Sequence, residues 1–347
     1  MSDLVNFDPN SVGNPNYNIF GLPTSEEDSR LVLLSVPWEV TVSYGSGTAR
    51  SAEHLLKASI QVDLFDPDMP NGWRQGFYMR PPDRKLLMKS DYLRKEAELY
   101  IDYISKGEEL SQNKFMCKSL REMNEGSDML NEWVYNQAKD LLDKGKLTAL
   151  VGGDHSTPLG FYKALAEKFG PFGILQVDAH CDLRKAYEGF KYSHASIMYN
   201  ALEEIPEISK LVQLGVRDYC EEEWDYVCNS NFRVITYFDQ EVKERQYKGE
   251  TWHHIVAEIV DKLPSQVYFS FDIDGLDPKL CPRTGTPVLG GFEAHQILYL
   301  FKQVIDSGRK LIGFDLVEVG IGDDSLDANV GARILWKMCN MLLKSNN

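Results

Sequence analysis

No apolar run in this sequence approaches the roughly 18–20 residues of a membrane-spanning helix. The first residues, MSDLVNFDPNSVGNPN, lack the basic start and apolar core of a secretory signal. Basic residues are scarce, with 37 Lys and Arg against 52 Asp and Glu and a formal net charge of −15. That balance argues against nucleic acid, which needs a basic patch, and against an anionic membrane surface. Cysteine is thin: Cys117, Cys181, Cys220, Cys228, Cys281 and Cys339 are scattered without a CxxC pair. A disulfide scaffold is not expected, and a reduced, cytoplasmic protein is. Internal repeats and low-complexity tracts are absent as well.

What is there is an ordinary globular composition, 347 residues with 43% hydrophobic and 26% charged, enough to bury a full core. Residues 1–30, rich in Asn, Pro, Ser and acids, read as an irregular arm. Continuous apolar runs predict strands at 31–37, 61–65, 147–153, 172–179, 211–216, 233–238, 266–274 and 310–319. Helical patterns lie between them, for example at 158–169, 251–263, 294–307 and 329–343. Strands alternating with helices mean an α/β protein, here a three-layer α/β/α arrangement over residues 31–347 with eight parallel strands. One excursion, about 67–146, breaks the rhythm with two helical stretches near 88–109 and 117–145. It is either an extra helical layer or a lid or oligomer contact.

Chemistry collects at strand ends. In LQVDAHCDLRKAY, residues Asp178, His180 and Asp182 are spaced by two, so in extended backbone all three point one way. In VGGDHSTPLG, Gly152 and Gly153 allow a tight strand-to-helix turn that presents His155 at the carboxyl edge of the sheet. In YFSFDIDGLDP, Asp272 and Asp274 end an apolar strand two residues apart, a costly placement unless something cationic compensates. In GFDLVEVG, Asp315 and Glu318 lie in or beside another apolar strand. Convergence of His155, Asp178, His180, Asp182, Asp272 and Asp274 gives four carboxylates and two imidazoles. That is too much negative charge for one Zn²⁺, but it suits two divalent ions bridged by carboxylates. Oxygen-rich ligation leans toward Mn²⁺, with Ni²⁺, Co²⁺ or Fe²⁺ also fitting.

Together GGDHS, DAHCD, SFDIDGLDP, GTPVLGG and DLVEV resemble the ureohydrolases, the arginase–agmatinase family, from about Ser35 to the C-terminus. The resemblance implies an arginase-like fold and a dimanganese centre whose six ligands match the residues above one by one. It implies that His194, in KYSHASIMYNAL, shuttles protons, that Glu318 grips the guanidinium nitrogens, and that Thr286 lines the substrate pocket. SVPWEVTVSYGSGTAR is similar to the family's Gly-rich pocket loop. Asp182, beside the metals, would relay a proton to the leaving amine. The family commonly forms trimers or hexamers, so a homo-oligomer is implied too.

The substrate is where this chain departs from arginases. Leu183 stands where the first Asn that holds the amino-acid carboxylate is expected, and Cys220 where an Asp that holds the α-amino group is expected. Arg184, Lys185, Lys191 and Arg283 add positive charge around the mouth and would suit an acid, unless they point to solvent or pair with Glu188. Arg283 could also narrow the pocket toward guanidine itself. The segment EVGIGDDSLDANVGARIL differs from the EVNP or EVSP of arginases and many agmatinases. The expected activity is binuclear metal hydrolysis of a C–N bond in a linear guanidino compound, agmatine-like and not arginine, with release of urea. The alternatives are a formimidoylglutamase releasing formamide, or a hydrolase of guanidine or 4-guanidinobutyrate. A single-metal deacetylase of the same fold and a non-catalytic member are further classes. The complete ligand set with His194 and Glu318 argues against both.

Overall fold

A computed structural model describes residues 3–322 and 325–347. Two residues of the divergent C-terminal segment, Asp323 and Asp324, therefore lie outside the described residues, as do the first two of the arm. The eight strands are β1 (Leu31–Ser35), β2 (Phe77–Met79), β3 (Leu147–Val151), β4 (Phe172–Val177), β5 (Ile208–Leu214), β6 (Val234–Tyr237), β7 (Gln266–Asp272) and β8 (Lys310–Val317). They form one sheet in the order β2-β1-β3-β8-β7-β4-β5-β6, every pair parallel.

Both faces are covered, as the unbroken apolar runs require. One face is packed by α1 (Ser51–Ser59), α8 (Trp252–Lys262), α9 (Ala294–Asp306) and α10 (Leu326–Ser345). The other is packed by α2 (Arg84–Ser105), α3 (Lys114–Asp143), α4 (Leu159–Phe169) and α5 (Ile197–Glu204). The period of two is visible in β1, where Leu33 joins the first core and Leu34 the second. Two further helices, α6 (Glu221–Asn229) and α7 (Asp239–Tyr247), flank β6.

One expected strand is misplaced. Residues 61–65 do alternate, with Val62 and Leu64 buried and Gln61, Asp63 and Phe65 exposed, yet they pair with nothing. Alternation reports one-sided burial, not hydrogen bonding. Both edges of β1 are already taken, by β3 and by β2 from inside the excursion. The excursion is thus more than helices, since it supplies the edge strand. The irregular arm then covers that edge. The Asn18 side-chain oxygen accepts from Met79 N at 2.7 Å and its amide donates to Met79 O at 3.2 Å, a side chain standing in for a ninth strand. Phe20 follows, buried edge-on against Phe77 and Trp336.

Candidate metal centre

The four central strands, in the order β3-β8-β7-β4, are neighbours. Their carboxyl ends are where the chemistry-bearing residues were expected. β3 runs into His155, β8 into Glu318, β7 ends at Asp272 with Asp274 just beyond, and β4 ends one residue before Asp178. Neighbouring strands lie about 4.8 Å apart, so residues distant in sequence become contacts.

The structure brings the six residues together. His155 Nδ1 lies 2.9 Å from Asp178 Oδ2, 3.0 Å from Asp182 Oδ2 and 3.3 Å from Asp272 Oδ2. His180 Nδ1 lies 3.1 Å from Asp274 Oδ2 and 3.4 Å from Asp178 Oδ1. Two clusters result, His155–Asp178–Asp182 and Asp178–His180–Asp274, sharing Asp178. The fit to metal rests on one feature. His155 Nδ1 is buried and close to three carboxylate oxygens, yet none is oriented to form a hydrogen bond with it. Atoms that crowd without bonding one another are turned toward a common centre.

The electrostatics agree. All four carboxylates are buried. Burial, reinforced by Asp178, pushes Asp182 up to about 7. Burial, with Asp274 and Asp178, holds Asp272 well above the usual carboxylate range. Burial works against the charged forms of His155 and His180, but the surrounding carboxylates outweigh it and raise both. Burial would raise Asp178 as well, but the two imidazoles reverse that and draw it down. Such a site, with its cations removed, takes up protons in their place.

Further residues aim the ligands, and sequence reading assigned them no such task. Ser270 Oγ donates its one proton to Asp315 Oδ1 at 3.2 Å, so toward His155 Nε2, 2.9 Å away, it accepts. That leaves the proton on Nε2 and the lone pair on Nδ1, facing the carboxylates. Tyr162 donates to the other Asp315 oxygen at 3.2 Å. Gln176 donates to Asp178 Oδ2 at 2.8 Å, and Ala179 N to Asp274 Oδ1 at 3.0 Å. Arg217 donates to the carbonyls of Asp274 (2.6 Å), Leu276 (3.1 Å) and Val288 (3.1 Å), tying the turn after β7 to the loop of residues 284–291. A buried carboxylate such as Asp315 inside KLIGFDLV was the one signal in the sequence for this outer layer.

Asp182 and Glu318 have φ of 55° and 57°, a left-handed backbone that costs non-glycine residues about 1–3 kcal/mol each. Each is held there. Asp182 O accepts from Met198 N (3.0 Å) and Tyr199 N (3.1 Å) at the start of α5. Glu318 N donates to Gly153 O at 2.8 Å, while its Oε1 accepts from His155 N at 3.1 Å. Glu318 Oε2 is buried with no hydrogen-bond partner among the described residues, and burial followed by Asp274 pushes this carboxyl up to about 8. Gly285 makes the room: a Cβ there would sit 2.7 Å from that oxygen. His194 lies 3.7 Å from Glu318 Oε1 through Nδ1 and 3.5 Å from Ser43 Oγ through Nε2. Burial lowers its pKa, with Asp154 and Asp182 opposing, which favours a neutral ring able to accept a proton.

Beside these groups lies a cavity of about 430 Å³ whose wall includes His155, His180, Asp182, His194, Asp272 and Thr286. Tyr44, Arg184, Tyr187, Asp218, Glu223 and Val288 complete its outer part. Arg184 stacks over Tyr187 at 4.9 Å, with Nε 3.8 Å from Glu223. The other expected cations are not in this wall. Lys191 pairs with Glu204 at 3.1 Å. Lys185 lines a separate hollow beside Tyr199 and Tyr226. Arg283 is engaged with Asp327 through its backbone N (2.9 Å) and Nη1 (3.3 Å). Cys220 is also off the wall, as the residue preceding α6, its N–H donating to Glu223 at 3.0 Å.

Comparison with known proteins fits this geometry. The Arginase family model matches residues 29–340. A guanidinobutyrase of Pseudomonas aeruginosa is 34% identical over 215 residues, 58% of this chain and 62% of that protein, so that match spans under two thirds of the relative. An agmatinase of Bacillus anthracis is 29% identical over 297 residues, 85% of each chain. The crystal structure of the agmatine ureohydrolase of Thermoplasma volcanium superposes with a TM-score of 0.68 at 20% identity, covering 92% of each chain, a likeness of fold.

Proposed function

The chain belongs to the arginase family, and from that premise we propose that it hydrolyses a guanidino compound other than arginine at a two-metal centre and releases urea. The observation that carries this is the pairing of two clusters that share Asp178 with Glu318, a buried carboxylate whose second oxygen has no hydrogen-bond partner among the described residues. An orphaned buried carboxylate is a socket for a cation, and a guanidinium presents paired N–H groups to it.

His155, Asp178, Asp182, Asp272, His180 and Asp274 would hold two divalent ions, Mn²⁺ first by donor type. Ions so held supply a water acidified toward neutral pH as nucleophile. The chain's own residues do the rest. Glu318 grips the guanidinium and turns its central carbon toward the cradle. Asp182 passes a proton toward the leaving amine, and His194 exchanges protons with solvent through the cavity. Tyr44, Thr286 and Val288 confine the substrate.

Arginine fits poorly. Leu183, where a carboxylate-holding Asn would serve, is packed in the core, and Cys220 is off the cavity. Agmatine is the leading substrate, its amine matched by Asp218 on the outer wall. The second reading, a guanidino or formimidoyl acid such as 4-guanidinobutyrate or formimidoyl-glutamate, draws on Arg184 in that same wall. A cytoplasmic, trimeric or hexameric enzyme is the setting we propose with it.

The test is to load the protein separately with Mn²⁺ and Ni²⁺ and assay urea and formamide. The substrates are agmatine, 4-guanidinobutyrate, guanidine, arginine and formimidoyl-glutamate. Urea from a guanidino compound other than arginine is expected. Formamide, or urea from arginine alone, would overturn the reading.

A further inference from the structure

Between β1 and α1 the chain crosses beside the cavity as a strap, residues 36–47. Its near end is tied to the turn that carries His155, because Trp38 O accepts from Asp154 N at 2.9 Å. Its far end is tied to the pocket loop, because Gly45 N donates to Gly285 O at 2.9 Å. The middle of the strap holds His194. Thr41 Oγ1 accepts from His194 N at 3.1 Å, and the same hydroxyl lies 3.3 Å from Asp154 Oδ2. Ser43 Oγ is 3.5 Å from His194 Nε2.

The strap is gripped from its other side by one face of α2. Ser90 Oγ accepts from Glu39 N at 3.1 Å, and Asp91 pairs with Arg50 at 2.8 Å. Arg94 donates through Nη1 to Val42 O and, at 3.5 Å, to Val40 O, the two carbonyls that flank Thr41. Its side chain is 11% exposed, and Glu98 at 3.2 Å balances the charge. Arg94 also faces the loop leading to His194. The Glu188 carboxyl, raised by burial, is drawn back by His194 and by Arg94.

We propose that α2 is a positioning element for the reaction, acting through Arg94, which fixes the carbonyls of Val40 and Val42 on either side of Thr41 and thereby the backbone that holds His194. This rests on the role given above to His194. It assigns the excursion at 67–146 a task that an added packing layer would not have. Arg94 is not a metal ligand, so its loss leaves the cradle in place, while the strap it holds also carries Ser43 and Tyr44 of the cavity wall. A displaced proton-transfer group is costly, since misplacement by about 1 Å can lower rates on the order of 10²-fold.

The experiment is a double-mutant cycle on the metal-loaded full chain with Arg94→Met, Arg94→Lys and His194→Ala, read as urea release and by hydrogen exchange. We expect Arg94→Met to lower kcat roughly 10- to 100-fold, with a smaller rise in KM, since the strap also carries Tyr44, and the metal content equal to wild type. Lys, able to reach one carbonyl, recovers part of the loss. In the His194→Ala background Arg94→Met costs almost nothing, because both act in one step. Exchange quickens at residues 39–44 and 191–197 in Arg94→Met. Independent, multiplying losses, or unchanged exchange at 191–197, would overturn the proposal. Should His194→Ala keep full activity, the role of His194 falls instead, and the exchange data alone decide for or against Arg94.

Discussion

The inner and outer halves of the site are built differently. In the cradle, ligands sit at the ends of three of the four central strands, β3, β7 and β4, are buried apart from the half-buried His180, and are aimed by Ser270, Gln176, Asp315 and backbone donors. The outer wall is mostly loop, with Glu223 of α6 the exception among the residues named. Tyr44 is 82% exposed, and Leu289, next to Val288, is 88% exposed. The cradle is over-determined, and the wall is adjustable. A fold can therefore keep one chemistry while its loops change the molecule that is brought to it.

The predictions separate the two halves, beginning with the most severe. Asp178→Asn removes the residue both clusters share. Metal analysis should find both ions lost or weakened, and urea release should fall at least about 10³-fold, since the ions stabilise the reaction by several kcal/mol. Glu318→Gln keeps shape and removes charge. Both ions should remain, while kcat/KM drops on the order of 10²-fold, as when one partner of a buried ion pair is lost.

Ser270→Ala acts one step behind the ligands. Metal affinity should weaken roughly 10- to 100-fold, with activity recovered at high metal concentration. An unchanged affinity would remove Ser270 from the account. Arg184→Met probes the outer wall alone. It should change turnover of acidic substrates several-fold and leave metal content, thermal stability and guanidine turnover untouched.

A pH prediction follows for the metal-free protein. Asp182 at about 7 and Glu318 at about 8 lie above ordinary carboxyls, and His155 and His180 are raised as well. Between about pH 4 and 8 these groups make the folded chain bind more protons than the unfolded one, so its stability falls as pH rises. His194, lowered by burial, opposes this as a single group. Melting temperature should drop on the order of 5 °C from pH 5 to pH 8 without metal. Added Mn²⁺ should abolish the trend, because the ions then replace the protons.

What could be read in advance follows the same division. Asp178, His180 and Asp182 were legible from their spacing at a strand end, as were Asp272 and Asp274, although β4 stops at Val177 and β7 at Asp272, so it is the turns beyond the strands that bring them together. Seven of the eight strands were placed by their continuous apolar runs. The eighth was misread at 61–65, where Val62 and Leu64 are buried without any strand beside them. Which strands become neighbours has no local signature, so Ser270 beneath His155 was invisible, as was Arg217 reaching the carbonyls of Asp274, Leu276 and Val288. Lys191 and Arg283 sit near the motifs in sequence, but Glu204 and Asp327 take them up, a pairing with acids of the kind the alternative reading allowed.

The most direct test is calorimetric titration of the metal-free chain with Mn²⁺, read together with the metal content of the saturated protein. A shared Asp178 between two clusters predicts two ions per chain, with protons released on binding as the raised carboxyls and imidazoles are displaced. One ion per chain, or none, would contradict the two-metal centre on which the proposed reaction depends.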